Sequence, residues 1–195
     1  WTSCYDDVSF ISQLLESLTS RLCVDSERIF VLGESNGAML VHLLIQSKPG
    51  LFAKAAPIFG LPLLGYLSGP HFELIKRGIT SKHTSVLQLH DRSDVVIPWR
   101  GGIDADGWLY ESMNRTLGAW AAVHSCDMST SNTPTPIDGG HLHVRCDTFT
   151  DCRNGSVVGM CLYDGGHGDW IGPEGDVLVW NFFNGSWPLQ RTIIV

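Results

Sequence analysis

The stretch Arg28–Leu44, RIFVLGESNGAMLVHLL, limits what this chain can fold into more than any other. Arg28–Leu32 is a short apolar run that reads as a buried strand. From Asn36 to Ser47 apolar residues recur on nearly every side of a helix, and the pattern stops before Pro49-Gly50, so a central helix is expected. Between them, Gly33-Glu34-Ser35-Asn36-Gly37 must turn a strand into a helix at once. So sharp a turn lifts Ser35 to the end of the strand, and it is expected to leave no room for side chains at Gly33 and Gly37. In this setting the backbone N–H of Asn36, with the helix N-terminus behind it, points to where an oxyanion would develop.

The rest of the chain repeats the alternation. Asp6-Asp7 opens a first helix, where acids suit the macrodipole. Its residues Val8, Ile11, Leu14, Leu15, Leu18 and Leu22 recur at helical spacing, which predicts one buried stripe. KAAPIFG and SVLQLHD read as the second and third strands. Asp106 is placed to cap a helix over Gly107–His124, with Trp108, Leu117 and Trp120 inward. SVVGMCLYDGGH reads as a fourth strand ending in a glycine-rich loop, and PEGDVLVWNFF as a last helix with Pro173 at its first turn. Strands alternating with helices give an α/β fold with a parallel sheet, and 195 residues suit a single domain. Two excursions without periodicity, at about 60–84 and 125–142, are long enough to be functional surface or lids.

A nucleophilic serine needs a base and a group to orient that base. On a strand–turn–helix scaffold of this kind they follow in the order serine, acid, histidine, each after a later strand. His167 stands just beyond the fourth strand and is the candidate base. Asp94 and Asp91 both follow the third strand. Asp94, further into the loop, is the better acid, and Asp91 is the runner-up. Asp164 is too near His167 along the chain to orient it. His42, on the central helix, reads as a packed core histidine, and His90 as support for the acid loop. Histidines at the helix and loop ends, His124 among them, read as solvated. No spacing predicts a metal centre, and no cofactor is expected.

Charge and cysteines narrow the setting. A formal charge of −7 and a pI near 5.5 argue against nucleic acid as a partner. No apolar run is long enough to span a membrane. Six cysteines without zinc spacing point to disulfides. Sequons at Asn114, Asn154 and Asn184 point to N-linked glycans, and together these features predict secretion. Cys126, Cys146, Cys152 and Cys161 suffice for two local bridges, with three pairings open. Cys4 and Cys23 flank the first helix, on the order of 24 Å apart, which is beyond disulfide reach. At least one of them is therefore expected to bond to a segment outside this chain.

The segments DDVSFISQLLESL, CVDSERIFVLGESNGA, HDRSDVVIPWRGG, WAAVHSC and CLYDGGHGDWIGP…VWNFF resemble, in order, the secreted esterase family that includes polyhydroxybutyrate depolymerases, feruloyl esterases and acetylxylan esterases. RLCVD and the closely spaced Cys146, Cys152 and Cys161 lean toward the feruloyl-esterase branch. The resemblance implies an α/β-hydrolase fold and a serine hydrolase acting on ester substrates, some of them polymeric. It gives Ser35 as nucleophile, Asp94 as acid and His167 as base. Trp99 and Trp170, soon after the acid and the base, are expected near the site mouth, where indoles stack on aromatic or sugar-linked esters. Two positions depart from the family pattern: Ala38 replaces a second glycine after the elbow, and His90-Asp91 stands where His-Gly is common.

The resemblance begins in the middle of the family's domain. Four to five strands are legible here, against about eight in the complete fold. Residues 1–195 therefore read as the C-terminal part of one catalytic domain. The first strands, with the second oxyanion donor, are expected on an N-terminal segment or companion chain of the same precursor, because the strand at Arg28–Leu32 would otherwise leave an open edge. A hydrolase-like protein that only binds or assembles is the other class of reading. A peptidase shares the triad and is separated by ester against peptide turnover.

Overall fold

The computed structural model describes residues 4–68, 84–131, 135–139 and 142–187. Strand and helix alternate as expected: α1 (Asp7–Arg21), β1 (Phe30–Glu34), α2 (Asn36–Ser47), β2 (Lys54–Ile58) and β3 (Ser85–Asp91). A short hairpin, β4 (Gly102–Ile103) and β5 (Leu109–Tyr110), leads into α3 (Met113–Val123). Then come β6 (Asp127–Ser131), β7 (Thr135–Gly139), β8 (Leu142–Thr150), β9 (Val158–Tyr163) and α4 (Pro173–Asn184). The main sheet runs β1-β2-β3-β9-β8-β6, with β7 also paired to β8. β1, β2, β3 and β9 are parallel, and β8 joins antiparallel.

Alternation along β3 explains the two-layered core. Val86 packs with α2 and α3 residues such as Met39, Ile45, Leu117 and Trp120. Its neighbours Leu87 and Leu89 face the other way, onto Leu178 and Phe182 of α4. With both faces covered, β3 is buried throughout. α4 begins at Pro173, carries Glu174 and Asp176 in its first turn and ends on Gly185 in the left-handed region (φ 87°).

Several expectations change. β1 is half-covered rather than buried; it is an edge strand, and Leu32 is 54% exposed. α1 has no fully buried residue: Val8, Ile11 and Leu15 rest on the core, while Leu14, Leu18 and Leu22 are exposed. The helix expected from Gly107 starts at Met113, capped by the Ser112 hydroxyl accepting from the Arg115 N–H. Upstream, Asp104 takes the N–H groups of Asp106 and Trp108 into a tight hairpin turn, and Trp108 is exposed. The excursion at 125–142 contains β6 and β7, which polar Ser, Thr and Asp residues disguise as loop. Of the excursion at 60–84, residues 69–83 lie outside the described residues. His124 is buried against Trp120 instead of solvated.

Cys126 pairs with Cys152 and Cys146 with Cys161, the latter two facing each other in the β8–β9 register. Cys4 and Cys23 are unpaired and exposed. Asn114, Asn154 and Asn184 are all exposed, so each sequon is accessible to a glycan. The Cys146–Cys161 bridge closes 15 residues, and the chain-entropy model gives such a loop about 3 kcal/mol. Replacing both cysteines by serine is expected to lower unfolding free energy by about that amount. Urea titration would show this, and an unchanged midpoint would contradict it.

Candidate active site

β1, β3 and β9 end on one side of the sheet, and Ser35, Asp94 and His167 follow those three ends. The loops beyond the carboxyl ends of parallel strands are where α/β sheets gather functional groups. Here they bring together residues 132 and 73 positions apart in sequence.

Ser35 lies at φ 51°, ψ −119°, a region that costs a non-glycine residue about 1–3 kcal/mol. Its N–H donates to the Ile58 carbonyl (3.0 Å), and its own carbonyl accepts from Ala38 and Met39 (3.0 and 3.2 Å), so strand β2 and helix α2 hold the turn. A β-carbon on Gly33 would come within 2.5 Å of the Gly37 carbonyl oxygen, so glycine is required there. At Gly37 a β-carbon meets nothing within 4 Å, so the expectation that both glycines are sterically required holds only for the first. The second required glycine is Gly60, past the end of β2, where a β-carbon would collide with the Ser35 carbonyl oxygen. Asn36 is the first residue of α2, and the first N–H groups of a helix have no acceptor within it.

His167 Nε2 lies 2.9 Å from Ser35 Oγ, and His167 Nδ1 lies 2.8 Å from Asp94 Oδ2. The imidazole stands edge-on to the Phe59 ring, 5.3 Å between centroids. Asp94 Oδ1 accepts from the N–H groups of Val96 and Ile97 (2.9 and 2.8 Å), and Oδ2 also lies 3.2 Å from His90 Nε2. Burial alone would push the Asp94 carboxyl up. Hydrogen bonds from His90, His167 and the Ile97 N–H outweigh it and hold the carboxyl below its ordinary value.

Acceptors fix the position of each ring proton. His90 Nε2 faces Asp94 and, at 2.7 Å, the Ile97 carbonyl, so it must be the donor. Its Nδ1 faces Gln88 Nε2 at 3.5 Å, whose amino group also donates to the carbonyls of Gly60 and Leu89. Gln88 Oε1 is thereby turned to His42 Nε2 (2.9 Å), which must donate. Burial pushes His42 down to about 4, which keeps it neutral for that role. By the same logic His167 Nδ1 donates to Asp94, leaving Nε2 as an acceptor toward Ser35.

Asp91 ends β3, fully buried, while Asp164 is taken up by Arg92 (2.8 Å). Trp170 donates to Asp176 (3.0 Å) and lines a cavity of about 230 Å³ with Leu32, Glu34, Ile58 and Trp180. Trp99 instead packs against the core on the α2 side, with the Arg100 guanidinium over its ring. Gly60, Gln88 and Phe59 escaped the sequence reading. Gln88 left a signal, being a polar residue at the same parity as His90 in an otherwise apolar strand.

No protein-family model matches the chain. It is 24% identical over 189 residues to feruloyl esterase B of Piromyces equi, covering 91% of this chain and 31% of that protein. It is 26% identical over 185 residues to a probable feruloyl esterase C of Aspergillus clavatus, covering 91% of this chain and 57% of that one. The chain thus spans between about a third and somewhat more than half of these relatives. Among solved structures it matches an acetyl xylan esterase from Aspergillus awamori with a TM-score of 0.63 at 18% identity, over 91% of this chain and 67% of that one. The chain has the fold of that enzyme and is similar in sequence to feruloyl esterases.

Proposed function

We propose that this chain is the catalytic C-terminal part of a carboxylic ester hydrolase, with Ser35 as nucleophile, His167 as general base and Asp94 as the orienting acid. The observation that carries the reading is the continuous line Ser35 Oγ–His167 Nε2–His167 Nδ1–Asp94 Oδ2, at 2.9 and 2.8 Å, built on a strained elbow. His167 takes the Ser35 proton as the hydroxyl attacks the ester carbonyl. Asp94 stabilises the imidazolium, and the Asn36 N–H holds the oxyanion. His167 then protonates the departing alcohol, and water releases the acid from the acyl-enzyme.

The names of the similar proteins support feruloyl or acetyl esters of a polysaccharide as the substrate class, with hydroxybutyrate-type polyesters as the second class to test. The two disulfides and three exposed sequons support secretion. The edge of β1, without a strand partner among the described residues and with Leu32 exposed beside Trp180, supports a further segment of the same precursor that completes the sheet and supplies the second oxyanion donor.

A fluorophosphonate probe tests the core of this reading. Mass spectrometry of the native protein, with any companion chain retained, is expected to find the label on Ser35 and to lose it in Ser35→Ala. A folded protein that takes up no label would move the reading to a non-catalytic relative of the fold.

A further inference from the structure

Phe59, one residue past the end of β2, lies on the opposite side of the sheet from the one its position calls for. Along β2, Ala55 packs with the α2-side core, while Ala56 and Ile58 pack with the α4-side core, as alternation requires. Phe59 should therefore turn to the α2 side with Ala55. Instead it is buried with Ala56 and Ile58. A φ of 34° makes the switch, and for a bulky residue that region is strained. Hydrogen bonds hold the segment in place. The Ile58 carbonyl accepts from the Ser35 N–H (3.0 Å), the Phe59 N–H donates to the Leu89 carbonyl (2.8 Å), and the Gly60 carbonyl accepts from Gln88 Nε2 (3.2 Å). Burial alone does not call for the switch, because apolar clusters cover both faces of the sheet.

The switch brings the Phe59 ring against His167. The two rings stand 5.3 Å apart between centroids, inclined at 75°, a geometry that aromatic pairs favour. The contacts to Ser35 and Asp94 use Nε2 and Nδ1 of the imidazole. Both atoms lie in the ring plane, so these bonds leave the tilt of the ring about the line between them unrestrained. The loop that carries His167 offers little to restrain it: Gly165, Gly166 and Gly168 are its neighbours in sequence, and its side chain is 20% exposed. Resting on the esterase reading, we propose that Phe59 is a positioning residue for the base: its ring fixes the tilt of the His167 imidazole, so that Nε2 stays aligned with Ser35 Oγ while Nδ1 stays on Asp94. Residues 58–60 then set both partners of the proton transfer, Ser35 through a backbone hydrogen bond and His167 through an aromatic face.

Phe59→Leu and Phe59→Met keep the position apolar and remove the flat ring, and thermal melts show that each variant is folded. With any companion chain retained, each is expected to lower kcat on 4-nitrophenyl acetate by about tenfold, with KM within about twofold of the native value. In a His167→Ala background Phe59→Leu should cost nothing further, because no base is left to hold. The His167 ring protons, which lie beside an aromatic ring in the native chain, are expected to shift in the NMR spectra of both variants. Native kcat in folded variants, or unshifted ring protons, would overturn the proposal. So would a tenfold loss that persists on top of His167→Ala, since Phe59 would then act on the elbow or the fold and not through the base. An active native chain keeps the two readings apart; a native chain that hydrolyses no ester would bring down the esterase reading, and this proposal with it.

Discussion

Asp94→Asn is expected to lower kcat by about ten-thousandfold while leaving the fold intact. The Val96 and Ile97 N–H groups both require an acceptor at the Oδ1 position, so the amide oxygen must sit there. The new NH₂ group then occupies the Oδ2 position, facing two groups that also donate, His90 Nε2–H and His167 Nδ1–H. His167 escapes the clash by moving its proton to Nε2, where it faces Ser35 Oγ as a donor and no longer acts as a base. Steady-state kinetics on 4-nitrophenyl acetate would measure the loss. A rate within tenfold of the native enzyme would remove Asp94 from the triad and turn attention to Asp91.

Gly60→Ala is expected to have the next largest effect, although Gly60 is none of the three proposed catalytic residues. Its β-carbon would land on the Ser35 carbonyl oxygen and 2.7 Å from the Ala38 β-carbon, both parts of the elbow and neither the far end of a flexible chain. Overpacking of this kind costs about 1–3 kcal/mol. The displaced atom belongs to Ser35, the proposed nucleophile, and a misplacement near 1 Å lowers turnover by about a hundredfold. Gly37→Ala is the internal control. It meets open space at a helical position, so stability should hold or rise by about 0.5–1 kcal/mol. Thermal melts and kinetics on the two variants separate the cases. Equal effects would mean that glycine serves the elbow by flexibility rather than by close approach.

Much of the site was legible because its parts are local. The elbow is contiguous, His167 follows a strand whose apolar run is unbroken, and Asp94 follows one interrupted only by Gln88 before its polar end. β2, β3, β9 and α2 could be read because each buries most of its surface, and α4 because Pro173 and Gly185 mark its ends and one apolar stripe is buried. What failed was less buried or less local. α1 carries a full apolar stripe, yet Leu14, Leu18 and Leu22 remain exposed, because periodicity reports which face is apolar and not whether anything covers it. α3 starts at Met113 rather than Gly107 because Asp106, which resembles a cap, belongs to the hairpin turn that the Asp104 carboxylate holds. β6 and β7 escaped because a polar strand lacks the alternation that identifies one. Gly60 could not be recognised at all, since its neighbour Ser35 is distant in sequence.

The polar contacts around α2 form a closed circuit. From Ser35 at its head, bonds pass to His167, Asp94, His90 and Gln88 and return to His42, seven residues along the same helix. The helix is thus one side of a ring whose other sides are side chains. A ring of fixed perimeter does not let its members drift independently: sliding α2 along its axis would load Ser35 and Asp94 together. The surround of the candidate site can therefore vary between related chains, while the spacing of Ser35, His167 and Asp94 is governed from the protected interior.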